Sequence, residues 1–283
     1  MVESPGRLGE WLRGAASRLR RSGVSEAGRE ARLLWAAASG TDSASWQASE
    51  SVISADMIVR LEEMIEQRLA GEPLAHVTGL AGFRRLLLRS DRRALIPRPE
   101  TEGLVELLLS RIRHGRVADL GTGSGCIAMS LADEGQFDRV IAVDRSREAL
   151  SLSAENRSRT GLPVDLVSGS WFEPLRGERL DAVVSNPPYL TESEYRELDP
   201  SVRDHEPESA LASGPDGLAA TRRILLDGRS VLRSGGWLAL ELDCRRAVEA
   251  ADLAGSVGWT SVTLHDDLFG RERYLLAQRS DGQ

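Results

Sequence analysis

Apolar positions along this chain change their period once, and the change divides it. Between residues 6 and 71 they recur every third or fourth position, the period of a helix with one buried face. Leu8, Trp11, Leu12, Ala15 and Leu19 mark a first helix. Ala31, Leu33, Leu34, Trp35 and Ala38 mark a second, and Met57, Ile58, Leu61, Met64, Ile65 and Leu69 a third. Ser54 supplies an N-cap for the third helix and Gly71 an exit. Joints rich in Gly, Ser and Thr lie near Gly23 and from Gly40 to Ser45. The pattern predicts a small helical bundle over residues 1–72. It carries no titratable cluster, which suits a substrate-recognition module better than a catalytic one.

Residues 73–98 read as a β-hairpin and linker. Gly71-Glu72-Pro73 stops the helix. His76 to Gly79 and Phe83 to Leu88 read as two short strands joined by a glycine-bearing turn. Leu86, Leu87 and Leu88 do not alternate, so the pattern leaves their register open. Ile96-Pro97-Arg98-Pro99 is a stiff, extended connection.

From residue 99 strand and helix alternate, the signature of a parallel sheet covered on both faces. A helix over 101–113 leads into a short strand, 117–120, then Gly121-Thr122-Gly123-Ser124-Gly125 and a helix over 127–132. A strand over 140–143 ends at Asp144, and a helix runs over 147–159. Further strands are expected at 164–167 and 180–185. A polar loop over 191–217 and a helix over 218–232 follow, and Gly235-Gly236 turns the chain into a strand over 237–242. A helix at 246–254 and two last strands, 260–265 and 273–277, close the chain. The expectation is a Rossmann-like, seven-stranded α/β domain over 99–283, behind the helical bundle and hairpin.

The strand at 180–185 ends in Asn186-Pro187-Pro188-Tyr189. Neither proline can donate to a ladder, so pairing stops there and the next residues form a stiff turn. At the C-terminal edge of an α/β sheet, such a turn faces the usual ligand crevice. The Asn186 side chain offers a carbonyl acceptor, and the Pro187 carbonyl is a second that no following N–H closes off. Two acceptors suit an NH2 group, and Tyr189 offers a flat face beside them. A plain strand-ending turn fits these four residues equally well when they are taken alone.

The glycine loop narrows the chemistry. Glycines between a strand and a helix allow positive φ and close approach of a ligand to the backbone. Asp144 ends the next strand, about twenty residues on, where a carboxylate accepts from ribose hydroxyls. Asp119 precedes the loop, and a carboxylate there would repel a pyrophosphate but suit a ligand bearing an ammonium group. Together these features favour S-adenosylmethionine over a dinucleotide. Trp171, shortly after the strand at 164–167, is placed to cover an adenine; the alternative is a core tryptophan.

Composition adds exclusions. The 283 residues carry 41% hydrophobic and 28% charged side chains and a net charge of −7, which fits a soluble globular protein. The charge speaks against non-specific nucleic-acid binding and against direct nucleic-acid recognition. Every basic residue other than histidine is arginine, which rules out a lysine Schiff base or a P-loop lysine. The two cysteines, Cys126 and Cys244, form neither a zinc pattern nor a disulfide framework. Cys126 reads as a small buried residue, with a reactive thiol as the alternative. No secretory leader and no apolar run of spanning length is legible, so a cytoplasmic protein is expected.

The combination of Asp119 to Gly125 with Asn186 to Tyr189 resembles class I S-adenosylmethionine-dependent methyltransferases acting on an amide or amino nitrogen. Gly71 to Gly79, Leu95 to Glu102, and Val202 to Pro207 leading to Ala210-Leu211 and Asp216-Gly217-Leu218 resemble the HemK-type release factor glutamine N5-methyltransferases. That resemblance implies a protein substrate: the glutamine of the Gly-Gly-Gln motif in peptide chain release factors. A monomer is expected. It implies that Gly121, Thr122, Gly123, Ser124, Gly125, Asp144, Trp171 and Asn186 hold the cofactor. Asn186, Pro187, Pro188 and Tyr189 would hold the glutamine, with Asn186, Pro187 and Tyr189 acting on the reacting nitrogen and no metal involved. Three positions depart from the family pattern: Ser170 where Asp is usual, His76 where Tyr is frequent, and Asp243 where Gly is expected. A ribosomal-protein glutamine methyltransferase, an adenine-N6 methyltransferase and a non-enzymatic adaptor are the competing readings.

Overall fold

The structure, a computed structural model, describes residues 7–41 and 52–280. The joint expected from Gly40 to Ser45 lies mostly outside the described residues, as do the first six positions and the last three. Two compact units divide the chain. One runs to Leu80 and takes in Pro200–His205; the other holds Ala81–Asp199 and the chain from Glu206 onward.

The first unit contains α1 (Leu8–Arg21), α2 (Ala27–Ser39), α3 (Ala55–Leu69) and the short α4 (Leu74–Thr78). Leu8, Ala15, Leu19, Ala31, Leu34, Leu61 and Ile65 form its core, the stripe that the helical period marks. Ser54 caps α3 by accepting from Met57 N at 3.3 Å. Arg68 on α3 pairs with Glu30 on α2 at 2.7 Å.

Residues 76–79 are a correction. Residues 76–78 are helical and Gly79 is their C-cap; none is extended. Pro73 occupies the N-cap of α4, where the missing N–H is no loss. Leu74 and Val77, one turn apart, pack against the helical core. Thr78 Oγ1 donates to Leu74 O at 2.8 Å, and Gly79 ends the helix at φ 70°. The β-branched pair Val77-Thr78 thus yields to tertiary packing. The hairpin is one element later, β1 (Leu80–Phe83) and β2 (Leu86–Arg89). Its turn carries Arg84 at φ 50° rather than a glycine. Arg84 N donates to Glu102 Oε1 at 2.9 Å, and its guanidinium pairs with Glu106 and Glu134. These contacts hold a conformation that arginine alone would not choose.

The second unit continues with α5 (Pro99–Arg111), β3 (His114–Leu120), α6 (Cys126–Glu134), β4 (Gln136–Asp144), α7 (Arg147–Thr160), β5 (Val164–Ser168) and β6 (Leu180–Ser185). After α8 (Glu192–Arg196) the chain passes through α9 (Pro200–Arg203), which belongs to the first unit, and then forms α10 (Ala219–Asp227), β7 (Leu232–Glu241), α11 (Ala247–Ser256), β8 (Trp259–Asp266) and β9 (Glu272–Arg279) in the second. The sheet has seven strands in the order β5-β4-β3-β6-β7-β9-β8, parallel through β7 and antiparallel for β9 and β8. Alternate residues serve opposite faces. Leu120, Val143, Val183 and Leu240 pack with α10 and α11, while Ala142, Val184 and Ala239 pack with α5 and α6.

Two further expectations shift. The polar stretch 191–217 is largely ordered into short turns, and Thr191 with Glu194 forms a capping box at α8. The helix expected to Leu232 stops at Asp227, and β7 starts before Gly235-Gly236. That pair sits at a register shift between the β6 and β7 partners, so the glycines bend a strand rather than precede it.

Candidate active site

The strand order reverses at β3, with β4 on one side and β6 on the other. At such a switch point the connections leave in opposite directions and open a crevice at the carboxyl edge. A cavity of about 400 Å3 lies there, within the usual size of a small-molecule site. Gly121, Thr122, Gly123 and Ser124 form one wall, with Asp144 and Trp171 beside them. Asn186, Pro188, Thr101 and the linker Arg93–Arg98 form another.

The loop is pinned at both ends. Gly121 N and Thr122 N both donate to Val143 O, at 2.8 and 3.0 Å. Gly123, at φ 56°, donates its N–H to Asp144 Oδ2 at 2.9 Å, and Ser146 N donates to Asp144 Oδ1 at 2.9 Å. An ionised carboxylate has about four lone-pair sites, so Asp144 keeps accepting capacity toward the cavity. Trp171 lines the wall at φ 50°, a left-handed backbone for a bulky side chain.

Some expected site residues stand off the cavity wall. Gly125 does, and its glycine is required by packing: at φ 84° a Cβ would collide with Ser153 and Met129. Pro187 is buried behind the wall. Tyr189 also lies off it, and burial, with Glu241 close by, pushes its phenol up. Asp119 does not face the cavity. Its Oδ2 accepts from Thr122 Oγ1 at 2.6 Å and Ala128 N at 3.2 Å, beneath the loop. Burial raises it to about 7, so it braces the loop from below. Cys126 lines the cavity with its thiol pushed up to about 12 by burial, which keeps it protonated and unreactive.

The structure adds residues the motif reading missed. Asn186 Nδ2 donates to Thr101 Oγ1 at 3.0 Å, and Thr101 Oγ1 donates to Glu241 Oε2 at 2.7 Å. Thr101 opens α5 and Glu241 ends β7, so three elements meet behind the asparagine. Burial raises Glu241 to about 7. Glu206 is buried too. Its Oε2 accepts from Ile96 N at 3.0 Å and its Oε1 from Arg98 Nη2 at 2.5 Å. The signal for Glu241 was a lone carboxylate at the end of an apolar strand. Nothing in the sequence joins Glu206 to the linker more than a hundred residues earlier.

The sheet order, glycine loop, acid at the tip of β4 and acceptor turn after β6 define a class I S-adenosylmethionine-dependent methyltransferase. The comparisons carry this further. The PrmC N-terminal domain family matches residues 10–79, and the Methyltransferase small domain family matches 99–198. A release factor glutamine methyltransferase of Deinococcus radiodurans is 40% identical over 280 residues, covering 97% of this chain and 99% of that one. One from Cereibacter sphaeroides is 38% identical over 275 residues, covering 96% and 98%. The chain belongs to the release factor glutamine methyltransferase family. A methyltransferase from Pyrococcus furiosus, 16% identical, shares the fold at a TM-score of 0.55, covering 81% of this chain and 100% of that one. Among the described residues no helix is long and apolar enough to cross a membrane.

Proposed function

We propose that this enzyme methylates the side-chain amide nitrogen of the Gly-Gly-Gln glutamine in peptide chain release factors, with Asn186 as the residue that holds that nitrogen. One observation carries the reading. Asn186 lines the cavity while its own NH2 is taken by Thr101, so its carbonyl oxygen is left to accept an N–H from a bound amide. Its position directly after β6, whose last residue Ser185 pairs with Leu120 of β3, sets it next to the loop that would hold the cofactor.

The residues fit S-adenosylmethionine. Gly121 to Ser124 present backbone, Asp144 has accepting capacity for ribose hydroxyls, and Trp171 offers a face for adenine. Gly125, at positive φ, shapes the loop that would hold the cofactor. Bound there, the cofactor would supply an electrophilic methyl to the amide nitrogen, with the electron pair of the methyl–sulfur bond left on sulfur and the surplus proton on nitrogen lost to water. The protein's part is placement. An amide nitrogen is a weak nucleophile because its lone pair is delocalised. Asn186 Oδ1 would accept one of its hydrogens, aim the lone pair at the methyl and stabilise positive charge developing on nitrogen; the Pro187 carbonyl, which stands off the wall, would accept the other once the turn moves toward the cavity. Pro188 and Tyr189 would border the glutamine side chain. No general base is required.

The helical unit over residues 1–72, followed by the hairpin and linker, is read as the recognition part for the protein substrate. The working form is a cytoplasmic monomer. Radiolabelled methyl transfer to purified release factor, ribosomal protein and DNA tests the substrate, with peptide mass spectrometry locating the product. Label confined to the Gly-Gly-Gln glutamine is expected. Label on ribosomal protein or adenine alone overturns the reading. Asn186→Ala should lower kcat by about a hundredfold or more, the scale of a lost transition-state contact, with cofactor affinity little changed.

A further inference from the structure

We infer that Thr101 and Glu241 form a relay that locks the orientation of the Asn186 amide, so that its carbonyl oxygen rather than its NH2 faces the reacting nitrogen. The inference rests on the reading of Asn186 given above and extends it to two residues that do not touch the reacting atoms.

The lock follows from hydrogen-bond direction. A threonine hydroxyl has one proton and two lone pairs. An ionised Glu241 can only accept, so the Thr101 proton must point at Glu241 Oε2, 2.7 Å away. Thr101 Oγ1 then faces Asn186 with lone pairs alone, and only the NH2 end can meet it, as it does at 3.0 Å. An Asn186 turned about its side-chain torsion would set two acceptors against each other. It would also present NH2 to the NH2 of the substrate, donor against donor.

A protonated Glu241 removes the constraint. It can donate to Thr101, whose own proton is then available to Asn186 Oδ1. Both orientations become allowed, and one of them is unproductive. Glu241 is therefore a positioning residue whose charge state selects the working rotamer.

The surroundings keep the relay stiff. Glu241 is buried, with 1% of its surface exposed. Tyr274 on β9 lies against Gly103 of α5, and its hydroxyl donates to Glu100 O at 2.5 Å, anchoring the turn that carries Thr101. The charged and titratable groups facing Glu241 are Arg98 and Glu100 at the start of α5, Arg273 and Tyr274 on β9, Tyr189 after β6, and Cys126 on α6. Arg273 and Arg98 favour the carboxylate, while burial and Glu100 oppose it. The balance leaves the group near 7, where it changes charge across ordinary assay conditions.

The test is a kcat profile between about pH 6 and 9 at saturating cofactor and release factor, for wild type, Glu241→Gln, Thr101→Val, Thr101→Ser and Asn186→Ala. Wild type should show an acidic limb near the Glu241 value. Glu241→Gln, almost isosteric, should lose that limb and fall about tenfold at alkaline pH, since a glutamine can donate as well as accept. Thr101→Val should fall about tenfold to a hundredfold, the scale of misplaced contacts. Thr101→Ser should retain most activity, and cofactor Kd should stay within about twofold throughout. If Thr101→Val or Glu241→Gln keeps wild-type kcat and the acidic limb while Asn186→Ala is inactive, the relay is wrong and the reading of Asn186 stands. An active Asn186→Ala removes that reading, and the relay with it. Should Thr101→Val not fold, the Glu241→Gln profile decides.

Discussion

Asp144 holds two backbone donors, Gly123 N and Ser146 N, while facing the cavity. Its replacement therefore does more than remove one ribose contact: it releases the loop that shapes the cofactor wall. Charge-assisted hydrogen bonds are worth about 1.5–3 kcal/mol each, so Asp144→Ala should weaken cofactor binding by about tenfold to a hundredfold by titration calorimetry. A change under about threefold would mean the loop is shaped without it. Asp243, where glycine was expected, also has a defined job. It accepts from Arg246 Nη1 at 2.7 Å and pairs with Arg245, and both arginines bond Glu194 of α8 at 2.8 Å. The departure is compensated by partners that tie the stretch after the acceptor turn to the end of β7.

At the scale of elements, the cavity is walled by segments distant in sequence and held together by single buried groups. Glu206 joins the linker before α5 to the stretch before α10 through Ile96 N and Arg98. Glu206→Ala leaves the Ile96 N–H unpaired, which costs about 1–3 kcal/mol. In a protein of this size the melting temperature should fall by about 2–10 °C. Cofactor affinity should fall as well, because Ile96, Pro97 and Arg98 line the wall. Unchanged melting and binding would show that the linker is held by its prolines alone. Gly217, at φ 74°, allows a similar approach: a Cβ there would collide with Tyr189 O and Arg246.

At the scale of the whole molecule, two buried carboxyls among the described residues, Asp119 and Glu241, are raised to about 7. Their unfolded values lie near 4, so burial penalises the ionised form in the folded state only. The stability they leave intact is fully present below about pH 4 and is lost as pH rises through 7. A shift of that size corresponds to on the order of 3 kcal/mol for each buried group. Unliganded protein should therefore melt at a lower temperature at about pH 8.5 than at pH 6, and Glu241→Gln should flatten part of that fall. A profile of equal slope in the variant would mean that Glu241 is already fully ionised in the folded protein across this range. Activity and stability then move oppositely with pH, since the relay needs the carboxylate that the fold disfavours.

Much of this molecule is determined by the sequence alone. The helical stripe, the alternation of strand and helix and the glycine loop are local periodicities, set by which face of an element must be buried. The double proline after β6 is likewise local, because a missing N–H ends a ladder wherever it stands. Those features suffice for the class of fold, the cofactor and the place of Asn186. Residues 76–79 show where local preference fails: a β-branched pair turned helical once Leu74 and Val77 had a core to join. Asp119 looked like a ligand contact and became a brace, since its direction depends on α6 folding over it. Thr101, Glu206 and Glu241 have partners separated by 85, 110 and 140 residues. No pattern in a chain encodes such a meeting. Only the sheet order brings the ends of β6 and β7 and the start of α5 together, and burial there makes each unpaired polar atom too costly to leave without a partner.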